Sequence, residues 1–77
     1  MYFVYSLENK LTNELYYGYT NNLERRLKEH NIKNEYKLIC YEAYISETDA
    51  RDRERKLKNY GQARTHLKNR LRNSLNL

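Results

Sequence analysis

Aromatic and branched residues crowd Tyr2 to Leu7, and the two-residue period of a strand sets Phe3, Tyr5 and Leu7 on one face. The polar stretch Glu8 to Asn13 reads as a hairpin loop, and Glu14 to Tyr19, aromatic again, as the strand returning antiparallel. A loop centred between Lys10 and Leu11 puts Tyr5 opposite Tyr16 on the same face, with Cβ atoms about 5 Å apart. Gly18 falls at the end of that second strand, a place suited to a close backbone approach or a special dihedral. Two tyrosines facing each other across a hairpin are by default sheet packing.

Beyond Thr20 the period becomes helical. Leu23 and Leu27 point the same way, and an Asn21-x-x-Glu24 pattern resembling a capping box opens a helix over Asn22 to His30 that stops near Asn31. Arg26 and His30, four apart, lie just beside the leucine stripe, whereas Glu24, Arg25 and Lys28 point elsewhere. Two explanations stand. Either both side chains are displayed toward the sheet, or Arg26 snorkels over the core rim and His30 complements the dipole at the helix end.

A polar connection over Ile32 to Glu35 leads into Tyr36 to Ile45, the longest apolar run and the expected central strand. Ser46-x-x-Asp49 forms a second capping box, opening a helix to about Asn59. On it Ala50, Glu54 and Leu57 follow the i, i+4, i+7 rule, which sets the Glu54 carboxylate in the middle of the core-facing stripe. An unpaired buried carboxylate costs several kcal/mol, so Glu54 needs a cation. An internal ion pair, with Arg26 for example, and a metal ion at a cleft both meet that need. Tyr60-Gly61 then interrupts the helix, with Gly61 at a natural C′ position. Ala63 to Leu75 makes a third helix, with Ala63, Leu67, Leu71 and Leu75 on one side and Arg64, Lys68 and Arg72 on or near the exposed side. The element order is ββαβαα, and the fold class is α+β: a three-stranded antiparallel sheet with helices packed on it.

Seventy-seven residues allow one domain, 1–77, and a chain of this length hides only about 60% of its extended surface, so the core must be thin. Fifteen Lys and Arg against ten acidic residues leave a charge of +5, and nine tyrosines supply nearly all the aromatic surface. That combination suits a polyanionic partner, although many small soluble proteins share it. A single cysteine, Cys40, leaves no internal disulfide and suits a reducing compartment. There is no metal-type Cys/His cluster, no leader pattern and no apolar run near the ~20 residues of a membrane span. A cytoplasmic protein is expected, with the nucleoid as a candidate location.

Phe3-Val4-Tyr5, then Tyr16-Tyr17-Gly18, then Arg26, His30 and Glu54 within Arg53-Glu54-Arg55-Lys56-Leu57-Lys58 carry a resemblance to the GIY-YIG nuclease family, in particular its stand-alone single-domain bacterial members. It runs from about residue 2 to residue 72. Phe3 replaces the first glycine, and Val4 and Tyr17 replace the two isoleucines. The C-terminal asparagine of the homing members has no assigned counterpart, Asn69 and Asn73 being the nearest.

The resemblance implies a divalent-metal-dependent endonuclease that hydrolyses nucleic-acid phosphodiester bonds, with DNA the first candidate substrate and nicking or structure-specific cleavage the expected mode. Glu54 would bind one Mg2+, or another divalent cation such as Mn2+. Arg26 would contact phosphate oxygens through its guanidinium fork. Tyr5 would accept the proton of the attacking water, Tyr16 would orient that water, and His30 would assist, because a phenol titrating near 10 is a poor base at neutral pH. Lys68 and Arg72 are expected to contact backbone phosphates. The partners expected are nucleic acid, no membrane, and a protein that supplies targeting, with the chain a monomer or weak dimer. The competing expectation is a catalytically silent nucleic-acid-binding module.

Overall fold

The computed structural model describes residues 1–33 and 35–76. It comprises β1 (Tyr2–Asn9), β2 (Leu15–Thr20), α1 (Leu23–Lys33), β3 (Tyr36–Tyr44), α2 (Glu47–Asn59) and α3 (Gly61–Arg70). The strands form one antiparallel sheet in the order β2-β1-β3, so the expected ββαβαα order and α+β class hold. Helix α1 runs on to Lys33, so Ile32 and Lys33 belong to the helix rather than to the expected 32–35 connection, whose position 34 lies outside the described residues.

The central strand is β1, not β3. Val4, Tyr5, Ser6 and Leu7 are buried one after another, as required of a strand with a neighbour on each edge and helices over both faces. The long apolar run of β3 has another origin. Tyr5 pairs with Tyr41 and Ser6 with Cys40, but Leu7 pairs with Leu38, so Ile39 is an extra residue in a β-bulge. The bulge reverses side-chain parity. Tyr36 and Leu38 join the face of Tyr5 and Leu7, whereas Cys40, Glu42 and Tyr44 join the face of Val4.

On the Val4 face, Val4 and Tyr17 pack with Ala50 and Leu57 of α2 and Leu67 of α3, rimmed by Tyr2, Leu15, Tyr19, Cys40 and Tyr44. This is the main core. Fully burying a side chain such as Leu57 stabilises by about 1.5–3 kcal/mol. Arg53 ties α2 to the same face by a two-pronged ion pair with Glu42, 3.0 Å at its shortest, and Tyr44 Oη donates to the same carboxylate. The pair and the phenol hold the Glu42 carboxyl below its usual range despite the opposing effect of burial.

Helix starts follow local chemistry. Ser46 Oγ accepts from Asp49 N and caps α2 as its sequence pattern predicts. At α1 the cap is Asn22 rather than Asn21: Asn22 Oδ1 accepts from Arg25 N, and Thr20 Oγ1 accepts from Asn22 N. Between α2 and α3 no left-handed residue appears. Tyr60 is extended and serves as C-cap of α2 and N-cap of α3, so Gly61 is the first residue of α3 rather than a C′ glycine. The orphan carbonyls of Leu57 and Lys58 are taken by Arg64 Nη1, each at 2.9 Å. Arg64 is thereby withdrawn from the exposed side, where the wheel places it. The third helix also ends at Arg70, short of Leu75, and turns follow it.

Candidate functional site

Geometry at the hairpin decides where Tyr5 points. Asn9 Oδ1 accepts from Leu11 N and Thr12 N, and Asn13 takes a left-handed conformation at φ 62°. The loop therefore centres one residue later than expected. The cross-strand partner of Tyr5 becomes Gly18, and Tyr16 faces Leu7. A shift of two positions preserves the face, so Tyr5 and Tyr16 remain neighbours diagonally, with ring centres 6.4 Å apart.

Gly18 has ordinary dihedrals, and the reason for a glycine there is space. The Tyr5 ring lies across its Cα; a Cβ built at position 18 would press on Tyr5 Oη and Cζ and stand 2.8 Å from Cε2. Lying flat over β2, the phenol reaches α1 and meets His30 Nε2 at 3.0 Å. His30 sits within three tyrosine rings, those of Tyr5, Tyr16 and Tyr36, with centres at 5.8, 5.0 and 5.5 Å and all edge-to-face.

Electrostatics keep this pair in one protonation state. Burial, first of all, and then neighbouring Tyr16 push the Tyr5 phenol up to about 12, Arg26 pulling against them and Glu54 adding to them. His30 moves the other way: burial and the nearby Arg26 cation lower its pKa, Glu29 opposing. At neutral pH the phenol therefore holds its proton, and in the imidazole tautomer protonated at Nδ1 it donates that proton to His30 Nε2. Without a further cation, Tyr5 is even less available as phenolate at neutral pH than free tyrosine.

Arg26 lies beside Tyr5 and His30, with its side chain 46% exposed and Nη1 3.3 Å from Glu29 Oε2. Arg25 is more open and reaches the other oxygen of Glu29 at 3.7 Å. Glu54 is not in the middle of the buried stripe. Its side chain is 25% exposed at the rim of α2, and it pairs with Lys58 at 3.3 Å rather than with Arg26. Lys58 Nζ in turn lies 5.9 Å from the centre of the Tyr16 ring. No group of three or more His, Cys, Asp or Glu able to share a metal ion occurs among the described residues.

Tyr5, Tyr16, Arg26, His30 and Glu54 thus gather on the α1 side of the sheet and at its β2 edge. Lys68 does not join them. It lines a groove of about 780 Å³ with Glu8, Glu14, Tyr17 and Arg64, on the opposite sheet face, and Arg72 is exposed in the turns after α3. The Tyr17 hydroxyl beside that groove is buried without a hydrogen-bond partner among the described residues. Two site residues escaped the sequence reading. Lys58 was detectable as the i+4 partner of Glu54, and Tyr36 as the aromatic that opens β3.

Residues 1–70 match the family model described as the GIY-YIG catalytic domain. No curated protein and no solved structure gives a significant match.

Proposed function

Because the chain belongs to the GIY-YIG family, we propose that residues 1–77 act as one divalent-metal-dependent endonuclease domain that hydrolyses phosphodiester bonds in DNA, by nicking or structure-specific cleavage. The observation that carries this reading is the contact of Tyr5 Oη with His30 Nε2 at 3.0 Å, inside the cluster that also holds Tyr16, Arg26 and Glu54.

In this reading Tyr5 and His30 work as a proton relay. As the attacking water gives a proton to Tyr5 Oη, the phenol passes its own proton to His30 Nε2, and no free phenolate forms. That route suits a phenol whose pKa is near 12 beside an imidazole kept neutral. Tyr16 orients the water from the same sheet face. The Arg26 fork meets the phosphate oxygens as their charge grows, a task for a planar, bidentate donor. Glu54 fits the needs of a hard cation: Mg2+ is commonly held by one or two carboxylates, several waters and substrate phosphate, and a lone carboxylate at a rim supplies the protein's share. When bound, the cation compensates charge on the phosphate and the leaving oxygen. Lys68 and Arg72 would extend the basic surface over α3. We place the protein in the cytoplasm; no described helix is long and apolar enough to cross a membrane.

One observation favours the silent-module alternative. The Glu54 carboxylate is already satisfied by Lys58. Incubating a panel of linear and branched nucleic acids with wild type and Glu54→Ala, with and without Mg2+, separates the two. The nuclease reading expects metal-dependent cleavage by wild type alone and binding by both. Binding without cleavage under every condition selects the silent module, and metal-independent cleavage removes Glu54 from the metal role.

A further inference from the structure

Helix α2 packs on the Val4 face, yet it sends Glu54 to the β2 edge of the sheet, to the cluster around Tyr5 and Tyr16. Its apolar grip is slight. Ala50 and Leu57 are its only buried side chains, seven residues apart, and one of them is a single methyl. Apolar contact has no direction, so this stripe holds α2 against the sheet without fixing how the helix is rolled about its axis. Polar contacts on the two flanks supply that roll. At about 100° per residue, Arg53 and Glu54 stand on opposite sides of the buried stripe. Toward β3, the Arg53 guanidinium clasps Glu42 through Nε at 3.0 Å and Nη2 at 3.1 Å, and Tyr44 Oη donates to the same carboxylate at 2.5 Å. Toward β2, Tyr19 Oη donates to Glu47 Oε2 at 2.5 Å, and Arg51 pairs with Glu47 while lying 4.9 Å over the Tyr19 ring. The side chains of Arg53 and Glu42 are 24% and 25% exposed, and those of Arg51 and Glu47 are far more open, so the β3 clasp is the firmer of the two.

We propose that Arg53, clasped by Glu42 and Tyr44, is a positioning residue that fixes the roll of α2 and so sets the Glu54 carboxylate beside Tyr5 and Tyr16. The coupling is covalent and short, because Arg53 and Glu54 are consecutive on one rigid helix. A side-chain tip lies about 5 Å from a helix axis, so a roll of ~10° carries the Glu54 carboxylate about 1 Å. A misplacement of ~1 Å costs a reacting site roughly 10²-fold in rate. A two-pronged contact suits this task, since two parallel hydrogen bonds hold a plane where one would act as a pivot. The same role accounts for an ion pair at this place. Desolvation offsets much of the attraction of a partly buried pair, so its return in stability is small, whereas its return in specifying one arrangement is large. Two apolar side chains would fill the space and leave the roll free.

The catalytic consequence of Arg53 rests on the nuclease reading of Glu54, but the roll of α2 is read without metal or cleavage. Lys58 Nζ stands 5.9 Å from the centre of the Tyr16 ring, one turn beyond Glu54 on the same flank, and the ring should shift the Lys58 side-chain protons upfield in NMR spectra. Arg53→Lys keeps the charge and loses the fork. Its Lys58 protons should move toward their unshifted positions, its kcat with Mg2+ should fall roughly 10-fold or more, and its nucleic-acid affinity should stay unchanged. Tyr44→Phe, which spares the ion pair and removes one donor to it, should show the same changes at smaller amplitude, and it carries the test if Arg53→Lys loses its fold. Leu67→Val loosens the core under α3 instead, and well below its Tm it should match wild type in both readouts. An unmoved Lys58 signal in the clasp variants overturns the proposal. So does wild-type kcat in those variants, or a loss of kcat that Leu67→Val reproduces, since the clasp would then only stabilise. A wild type that never cleaves, with Lys58 moved in Arg53→Lys, keeps the positioning of α2 and defeats the nuclease reading; one that cleaves while Arg53→Lys equals it in signal and rate does the reverse.

Discussion

Replacing Gly18 by Ala tests how the site is built. The added methyl collides with the far end of the Tyr5 ring, at Oη and Cζ. On a free side chain such a collision costs little. Tyr5 is 1% exposed, however, and its ring is confined by Tyr16 at 6.4 Å and His30 at 5.8 Å, so it has no vacant position to swing into. Overpacking of this kind costs about 1–3 kcal/mol, and losing the bond to His30 adds about 1 kcal/mol. Relief of the intrinsic penalty of glycine in a strand returns roughly 0.5–1 kcal/mol. The net loss should be about 1–3 kcal/mol, which for a domain of this size lowers Tm by roughly 5–20 °C. Denaturant unfolding of wild type, Gly18→Ala, Tyr5→Ala and the double variant gives the coupling directly. In the Tyr5→Ala background the methyl has space, and Gly18→Ala should be neutral or stabilising. If it costs as much there as in wild type, the damage comes from β2 itself, and the account of Gly18 as the bed for the Tyr5 ring is wrong.

Arg26→Lys keeps the charge and loses the fork, so single-turnover cleavage should fall by roughly 10²-fold with little change in binding, whereas Arg25→Lys should be almost silent; equal losses would make Arg26 an ordinary member of a basic patch. Because the His30 pKa is lowered on folding, the unfolded chain binds more protons just below pH 6.5, so stability should be full above that point and decline as pH falls through the folded pKa. Cleavage should fall along an acid limb at that same lowered pKa, a limb absent from the residual activity of His30→Ala. Tyr5 has the opposite sign: its stabilisation is complete below pH 10 and is lost between 10 and about 12, readable by alkaline unfolding. Lys58→Ala frees the Glu54 carboxylate and should lower the Mg2+ concentration for half-maximal cleavage several-fold; an unchanged or raised requirement would show that the ion pair does not compete with the metal.

Element types and several boundaries were legible along the chain because they follow from local physics. Two-residue and helical periods mark strands and helices wherever one face is buried, and Ser46 caps α2 through an oxygen three residues from the amide it accepts. The residues gathered around Tyr5 could also be named in advance, since Arg26 and His30 share a helix side and the two tyrosines share a sheet face. What remained undetermined in each case was a choice between distant partners. A strand's period detects a slip of one residue but not of two, so Tyr5 facing Gly18 rather than Tyr16 required the turn that Asn9 and Asn13 build. The apolar run of β3 resembled a central strand because the bulge at Ile39 makes it serve both faces in succession, while centrality belongs to β1, the strand paired on both edges. Glu54 turned to Lys58, an i+4 neighbour on its own helix, because Arg26 was not brought within reach of it, and Arg64 turned to the carbonyls at the end of α2 because α3 folds back beside that end. Local order is a property of neighbours in sequence; register, centrality and the pairing of charges depend on contacts that exist only once the sheet and helices have closed around one another.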